Sequence, residues 1–329
     1  MWLRRVILVS VLLAMMTGCS GGAGSPPPPN PLTGRSLWVD PDSAAVQAVD
    51  LLRNQGRDAE ADELAPISSQ PVATWLVDDA APATARRVIE AAEIATKVPV
   101  LVLYHRPGRD CGSYSAGGAA EQTSYLAWVD QIAAAIGDQQ VVVVLEPDAI
   151  PQALTGQCAQ EGRPEASYAM LTAAVERLTV QPNALVYLDA GHPGWVGDLD
   201  SLAGALRGSG IERAAGFSLN VSNFVTTADN EAYGDQLSTR LHDKQYLVDV
   251  SRNGRGAPTA DPGSTEAWCN PPGAALGENP RIGPERARAI AFLWIKEPGA
   301  SDGACRPGEP PAGQYWPEYA LQLIRQRPS

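Results

Sequence analysis

Val141-Val-Val-Val-Leu-Glu146-Pro147-Asp148 decides the fold class. A run of β-branched residues reads as a strand buried on both faces, the pattern of a parallel α/β sheet or barrel. Pro147 stops the strand ladder and fixes the backbone, so Asp148 is held where the sheet opens to solvent. Ligands bind at that end of such sheets and barrels. A carboxyl placed there, with apolar walls behind it, can hold a raised pKa and donate a proton. The bland alternative is a solvated carboxylate capping the next helix.

Outward from this strand, apolar runs alternate with amphipathic ones. Residues 36–39, 72–77, 98–104, 141–145, 184–188, 214–219, 246–250 and 290–295 read as strands. Residues 43–53, 84–96, 121–136, 165–178, 199–207 and 230–241 have helical spacing. This alternation predicts a parallel sheet and, with so many units, a closed α/β barrel in a single domain over 36–329. Polar residues collect just after the strands: Arg109 and Asp110, Glu146 and Asp148, Asp189 with His192 and Trp195, Asn220 with Asn223, Asp249 with Arg252 and Asn253, and Lys296 with Asp302. Such a rim describes one cleft.

The ends and the composition set the compartment. Arg4 and Arg5 precede an apolar run, 6–16, too short to span a bilayer as a stable anchor, so 1–18 is expected to be an export signal. Met16-Thr-Gly-Cys19 resembles a bacterial lipobox, with Cys19 the lipidated first residue of the mature chain; Met16 stands where Leu is usual. Residues 19–35, with Pro26 to Pro29, then read as an extended tether. The predicted place is the extracytoplasmic face of a bacterial membrane, held by lipid alone, or the medium. Of five cysteines, setting Cys19 aside leaves Cys111, Cys158, Cys269 and Cys305. Two disulfides are expected, with three connectivities open. No Cys-x-x-Cys is present and His105, His192 and His242 lie far apart, so no zinc site is expected. The net charge of −12 argues against nucleic acid and against an electrostatic hold on anionic lipid, and suits a neutral substrate.

Two carboxyls in different environments suffice for glycoside hydrolysis: one protonated donor, and one ionised base or nucleophile. Asp110, Asp148, Asp189, Asp249 and Asp302 are the candidates, and Trp195, Trp268 and Trp75 can stack on sugar faces, although barrel packing explains any one tryptophan equally well. No Gly-x-Ser-x-Gly elbow or phosphate-cradling glycine loop is present. A magnesium site built from strand-end carboxylates is the second choice.

Tyr104-His-Arg-Pro-Gly-Arg109-Asp110-Cys111-Gly-Ser-Tyr-Ser115-Ala-Gly-Gly118 resembles the first signature of glycoside hydrolase family 6, the inverting β-1,4-glucanases, and Val144-Leu-Glu-Pro-Asp148 its proton-donor strand. Tyr187-Leu-Asp189-Ala-Gly-His192-Pro-Gly-Trp195, Asn220-Val-Ser-Asn223, Ser251-Arg-Asn-Gly254, Trp268-Cys269-Asn-Pro-Pro-Gly273 and Leu293-Trp-Ile-Lys296-Glu-Pro-Gly-Ala300-Ser-Asp302-Gly303 follow in family order. The resemblance implies a distorted seven-stranded parallel barrel, making one of the eight strands surplus, that at 36–39. It implies Asp148 as general acid, Asp110 raising the pKa of that acid and assisting the water, and Asp302 or Asp110 as base, with acid and base about 6.5–9.5 Å apart. Tyr104 would press on the sugar being cleaved and Asp189 support the charge network. Trp75, Ser115, His192, Trp195, Asn220, Asn223, Trp268 and Lys296 would meet substrate. The pairings implied are Cys111–Cys158 and Cys269–Cys305. No cofactor or metal is implied, and a monomer is expected.

Two departures stand out. Ala300 occupies a position where the family commonly has glutamate, removing a sugar-binding group worth roughly 1.5–3 kcal/mol. His105-Arg106 replaces the usual Asn and small or apolar residue. Short loops after Asn223 and the lack of a carbohydrate-binding module favour internal cleavage of soluble or amorphous β-glucan. The alternatives are exo-action of the cellobiohydrolase type, a non-catalytic glycan-binding lipoprotein, and a metal-dependent barrel enzyme.

Overall fold

The structure, a computed structural model, describes residues 27–158, 163–258 and 267–328. Eight strands form one sheet in the order β1-β2-β3-β4-β5-β6-β8-β7. They are β1 (Thr74–Leu76), β2 (Val100–Leu103), β3 (Val141–Leu145), β4 (Ala184–Asp189), β5 (Gly216–Leu219), β6 (Gln245–Asp249), β7 (Arg281–Ile282) and β8 (Ala289–Leu293). Seven are parallel; the two-residue β7 pairs antiparallel to β8. The sheet curls until the residues flanking β1 and β8 meet in one bridge, Val72 to Trp294. The expected closed barrel thus has a thin seam, because β7 pairs with Ala291 and Phe292 on that edge of β8. Residues 36–39 contribute a single bridge, Leu37 to Val98, and are the surplus strand.

Both faces of β3 are buried, as its β-branched run requires. Val142 and Val144 point into the barrel with Val100, Val102, Tyr187 and Leu247. Val141, Val143 and Leu145 face the surrounding helices. This alternation is the period of two expected of a strand, and each such side chain gains about 1.5–3 kcal/mol from burial. Gly216 is required where β5 crowds β6: a Cβ there would lie 1.7 Å from the Gln245 carbonyl oxygen.

The helices are α1 (Ala44–Asn54), α2 (Asp58–Ser68), α3 (Ala81–Ile94), α4 (Gln122–Ile136), α5 (Ala149–Thr155), α6 (Pro164–Leu178), α7 (Leu199–Gly208), α8 (Thr227–Arg240) and α9 (Pro317–Arg325). Six match the expected helical stretches; α2, α5 and α9 were not expected.

The structured domain begins earlier than residue 36. Leu32 is fully buried and plugs the barrel interior from the end where the strands start. Asn30 fixes that plug, its side-chain amide donating to the Ile290 carbonyl at 2.8 Å and its main-chain N–H to Glu285 O at 2.7 Å. Part of the proline-rich stretch is therefore domain rather than tether. The expected signal segment, Cys19 and the first tether residues lie outside the described residues.

Candidate active site

The turn after β3 sets the geometry. Glu146 and Asp148 have φ of 47° and 71°, a left-handed conformation unusual for side chains with a Cβ. The Glu146 carboxylate turns inward and accepts the main-chain N–H groups of His105 (3.0 Å) and Arg106 (3.2 Å), tying β3 to the end of β2. Asp148 stands at the N-cap of α5, yet its side chain makes no capping bond. The helix-cap explanation therefore fails, and the carboxyl lines the cleft.

That cleft, 620 Å³, opens at the carboxyl ends of the strands and is walled by Tyr104, Asp110, Asp148, Trp195, Trp268 and Asp302. Trp75, Ser115, His192, Asn223 and Lys296 also line it. A second cavity of 450 Å³ shares Trp75, Tyr104, Ser115 and Lys296 and continues the groove past Ala300 and Glu297. Eleven of the thirteen expected catalytic and substrate-binding residues thus meet in one groove.

Two do not reach it. Asn220 is fully buried, its amide donating to Asp249 O at 2.8 Å and its oxygen accepting from Val225 N at 3.1 Å. With φ of 64° it lies at the turn after β5, its side chain bonded to main-chain groups away from the groove surface. Asp189 lies beneath the groove, accepting from Asp148 N (2.9 Å), Gly191 N (3.3 Å) and the Ser218 hydroxyl (3.3 Å).

The surroundings push the carboxyls in different directions. Burial, then the charges of Asp189 and Asp110, push the Asp148 carboxyl well above its ordinary pKa. Burial also raises Asp110, against a hydrogen bond from Ser115 N at 2.7 Å. Asp189 is raised to about 7, chiefly by burial. Asp302 goes the other way: burial opposes its charge, but Arg252 and Lys296 outweigh it and hold the carboxyl below its usual range. Arg252 Nη1 is 2.8 Å from Asp302 Oδ2, Lys296 Nζ is 3.3 Å from Oδ1, and Asn270 N donates to Oδ2 at 3.0 Å. Titratable groups pushed apart in this way mark an acid and a base.

Aromatic rings complete the walls. Trp75 faces the groove, anchored through Nε1 to Ile295 O at 2.8 Å and edge-on to Tyr104 at 5.4 Å. Trp268, 43% exposed, meets Tyr114 edge-on at 6.0 Å. Burial holds the His192 imidazole at about 4, hence neutral at ordinary pH. Asp249 takes no part in the groove surface; it accepts Ser222 N, Ser251 N, Ile295 N and Lys296 N at 2.9–3.3 Å and knots three strand ends together. A divalent cation on that carboxylate would have to displace four main-chain donors, which counts against the magnesium alternative.

Disulfides join Cys111 to Cys158 and Cys269 to Cys305, the pairs the resemblance implies, and they fit an oxidising, extracytoplasmic setting. The first ties the Asp110 loop to the segment after α5; the second ties the Trp268 loop to that of Asp302. Arg252, part of the Ser251-Arg-Asn-Gly254 motif with no role implied by it, is the fully buried partner of Asp302. An arginine just after a strand, in a rim otherwise rich in carboxylates, was the available signal.

One carboxyl pushed above its ordinary range and another held below it, set among aromatic rings at the carboxyl ends of a parallel α/β barrel, fit a glycoside hydrolase. Comparison with known proteins narrows the class. The family described as glycosyl hydrolases family 6 matches residues 32–327, and this chain belongs to it. Endoglucanase A of Cellulomonas fimi is 41% identical over 299 residues, covering 90% of this chain and 62% of that protein. Endoglucanase 1 of Streptomyces halstedii is 39% identical over 298 residues, covering 88% of each. The solved endoglucanase Cel6 from Mycobacterium tuberculosis, in complex with methyl-cellobiosyl-4-deoxy-4-thio-β-D-cellobioside, superposes with a TM-score of 0.81 at 41% identity, covering 90% of this chain and 99% of that one.

Proposed function

We propose that this protein is an inverting endo-β-1,4-glucanase with Asp148 as its general acid. The observation that carries the reading is the contrast, on one groove, between Asp148, pushed well above the ordinary carboxyl range, and Asp302, held below it by Arg252 and Lys296. The similarity to endoglucanases, one of them solved with a thio-linked cello-oligosaccharide, supports a β-1,4-glucan as substrate.

In the proposed reaction the Asp148 carboxyl protonates the glycosidic oxygen as the bond from C1 to that oxygen breaks. Water adds to C1 from the opposite face, and its proton passes to Asp302 or, through a second water, to Asp110. Tyr104 lies between the two cavities, where it presses on the sugar undergoing cleavage. Asp189 hangs beneath Asp148 and keeps it poised. We further infer that residues 1–18 direct export and that lipid on Cys19 holds a monomeric catalytic domain at the cell surface; Cys19→Ser should release the protein into the medium.

The purified enzyme should be incubated with carboxymethyl-cellulose and mixed-linkage β-glucan, following viscosity and reducing ends together. Internal cleavage lowers viscosity well before reducing ends accumulate. On cellotetraose, NMR should show the α-anomer as first product, and Asp148→Asn should lose at least about 10²-fold in kcat. Wild-type rates in that variant would remove the reading. Glucan binding without product would point instead to a glycan-binding barrel, the reading that Ala300 favours.

A further inference from the structure

Arg106 is almost wholly buried, 3% exposed, directly behind the wall that carries Asp148 and Asp110. A guanidinium in that position is costly unless its surroundings use it. Its main-chain N–H is fixed on the Glu146 carboxylate at 3.2 Å, Nη1 donates to Pro107 O at 3.1 Å, and Nη2 donates to Gln152 Oε1 at 2.8 Å. Gln152 lies on α5, four residues after Asp148 at its N-cap, and both side chains line the cleft. Its main-chain N–H donates to Asp148 O at 2.9 Å, and its side chain lines the cleft together with Asp110, whose ionised form it favours.

An amide side chain can point either way round, but a guanidinium only donates. Arg106 therefore takes the oxygen of Gln152 and leaves the NH2 group for Asp110. We propose that Arg106 is a positioning residue of the catalytic site, fixing the Gln152 amide so that it donates to Asp110 beside the proton donor. This rests on the assignment of Asp148 as acid. Its charge acts on the same groups, favouring the ionised forms of Asp110 and Asp148. The other charges acting on the pair are those of Asp189, Arg109 and Lys296. On this proposal turnover needs Asp110 ionised and Asp148 protonated, so Asp110 sets the acid limb of the rate profile and Asp148 the alkaline limb.

The experiment is the pH profile of kcat and kcat/KM on cellotetraose for wild type, Arg106→Met, Arg106→Lys and Gln152→Met, with folding checked by circular dichroism and Tm. Arg106→Met should move both limbs to higher pH by about one unit. It should also lower kcat about tenfold with KM nearly unchanged. Arg106→Lys keeps the charge, so its limbs stay while kcat falls. Gln152→Met should move the acid limb alone, upward. A folded Arg106→Met protein with both limbs in place, even if slower, would mark a mere brace and overturn the proposal. Should that variant not fold, an unmoved acid limb in Gln152→Met overturns it equally. Full activity in Asp148→Asn would instead sink the assignment of the acid.

Discussion

The main-chain N–H of Asp148 donates to Oδ2 of Asp189 at 2.9 Å, so the proposed proton donor hangs from a carboxylate buried beneath it. Asp189 is therefore placed to act twice, once as an acceptor at the left-handed turn and once as a charge that raises the Asp148 pKa. Asp189→Asn separates the two roles, because the amide oxygen still accepts while the charge is gone. The alkaline limb of kcat should then move to lower pH by about one unit, with the rate at pH 5 little changed. Asp189→Ala also loses the acceptor, and kcat should fall about 10²-fold. An alkaline limb that superimposes on wild type in the Asn variant would remove Asp189 from the charge network.

Arg252 is fully buried, bonded to Asp302, with its guanidinium 4.4 Å from the centre of the Phe224 ring. Removing one partner of such a pair strands the other charge. Arg252→Met should destabilise the protein by about 3–5 kcal/mol in urea unfolding. It should also raise the Asp302 pKa, since Arg252 is the larger of the two charges holding it down. The activity deficit should therefore be deeper at pH 4 than at pH 7. An unchanged unfolding midpoint together with an unchanged rate profile would show that the pair matters to neither.

The parallel strands were legible because a doubly buried strand is written as a continuous apolar run, as in β3. The groove was legible because functional side chains follow those runs, as Asp148 and Lys296 do. Other features hide for physical reasons. Helix α2 carries Pro66 inside it and only a weak apolar face, although Ala61, Leu64 and Ile67 are buried. Asn220 occupies the same post-strand position as the true groove residues, and only its turn geometry tells it apart. The proline-rich start reads as tether by composition, yet one leucine and one asparagine suffice to dock its last part into the barrel end. Arg252 was hidden because its value lies in a partner fifty residues away.

Asp189 and Glu297 are both raised to about 7, mainly by burial. An acid whose folded pKa exceeds its unfolded value binds more protons in the native state between those values. Its contribution is therefore fully present below about pH 4 and is lost as pH rises through about 7. Stability should accordingly fall from pH 5 to pH 8. Glu297 Oε1 accepts Ala45 N at 3.0 Å, at the start of α1, and Glu297→Gln keeps that acceptor without the charge. The variant should be more stable than wild type by about 1–3 kcal/mol at pH 8, and no more stable at pH 4. Equal gains at both pH values in urea titrations would mean that packing, not ionisation, is responsible.

Ala300 lies on the second cavity beside Glu297, with Arg87 and Asp40 on the opposite wall. The family resemblance implies a carboxylate at this position that would bond a sugar hydroxyl, and we propose that its absence weakens binding there. Ala300→Glu tests whether the missing group limits binding. The cavity of 450 Å³ has room for the side chain. Glu297 and Asp40 oppose its charge, while Arg87, 2.8 Å from Asp40 and 3.0 Å from Asp42, tempers the repulsion. A charged hydrogen bond of about 1.5–3 kcal/mol corresponds to at least tenfold in affinity. KM for cellotetraose should fall by about that factor, and calorimetry with the same sugar on an Asp148→Asn background should show the same gain. An unchanged affinity in a folded variant would mean that this end of the groove binds something other than the unsubstituted glucan, and substituted or branched β-glucans would then be the ligands to titrate.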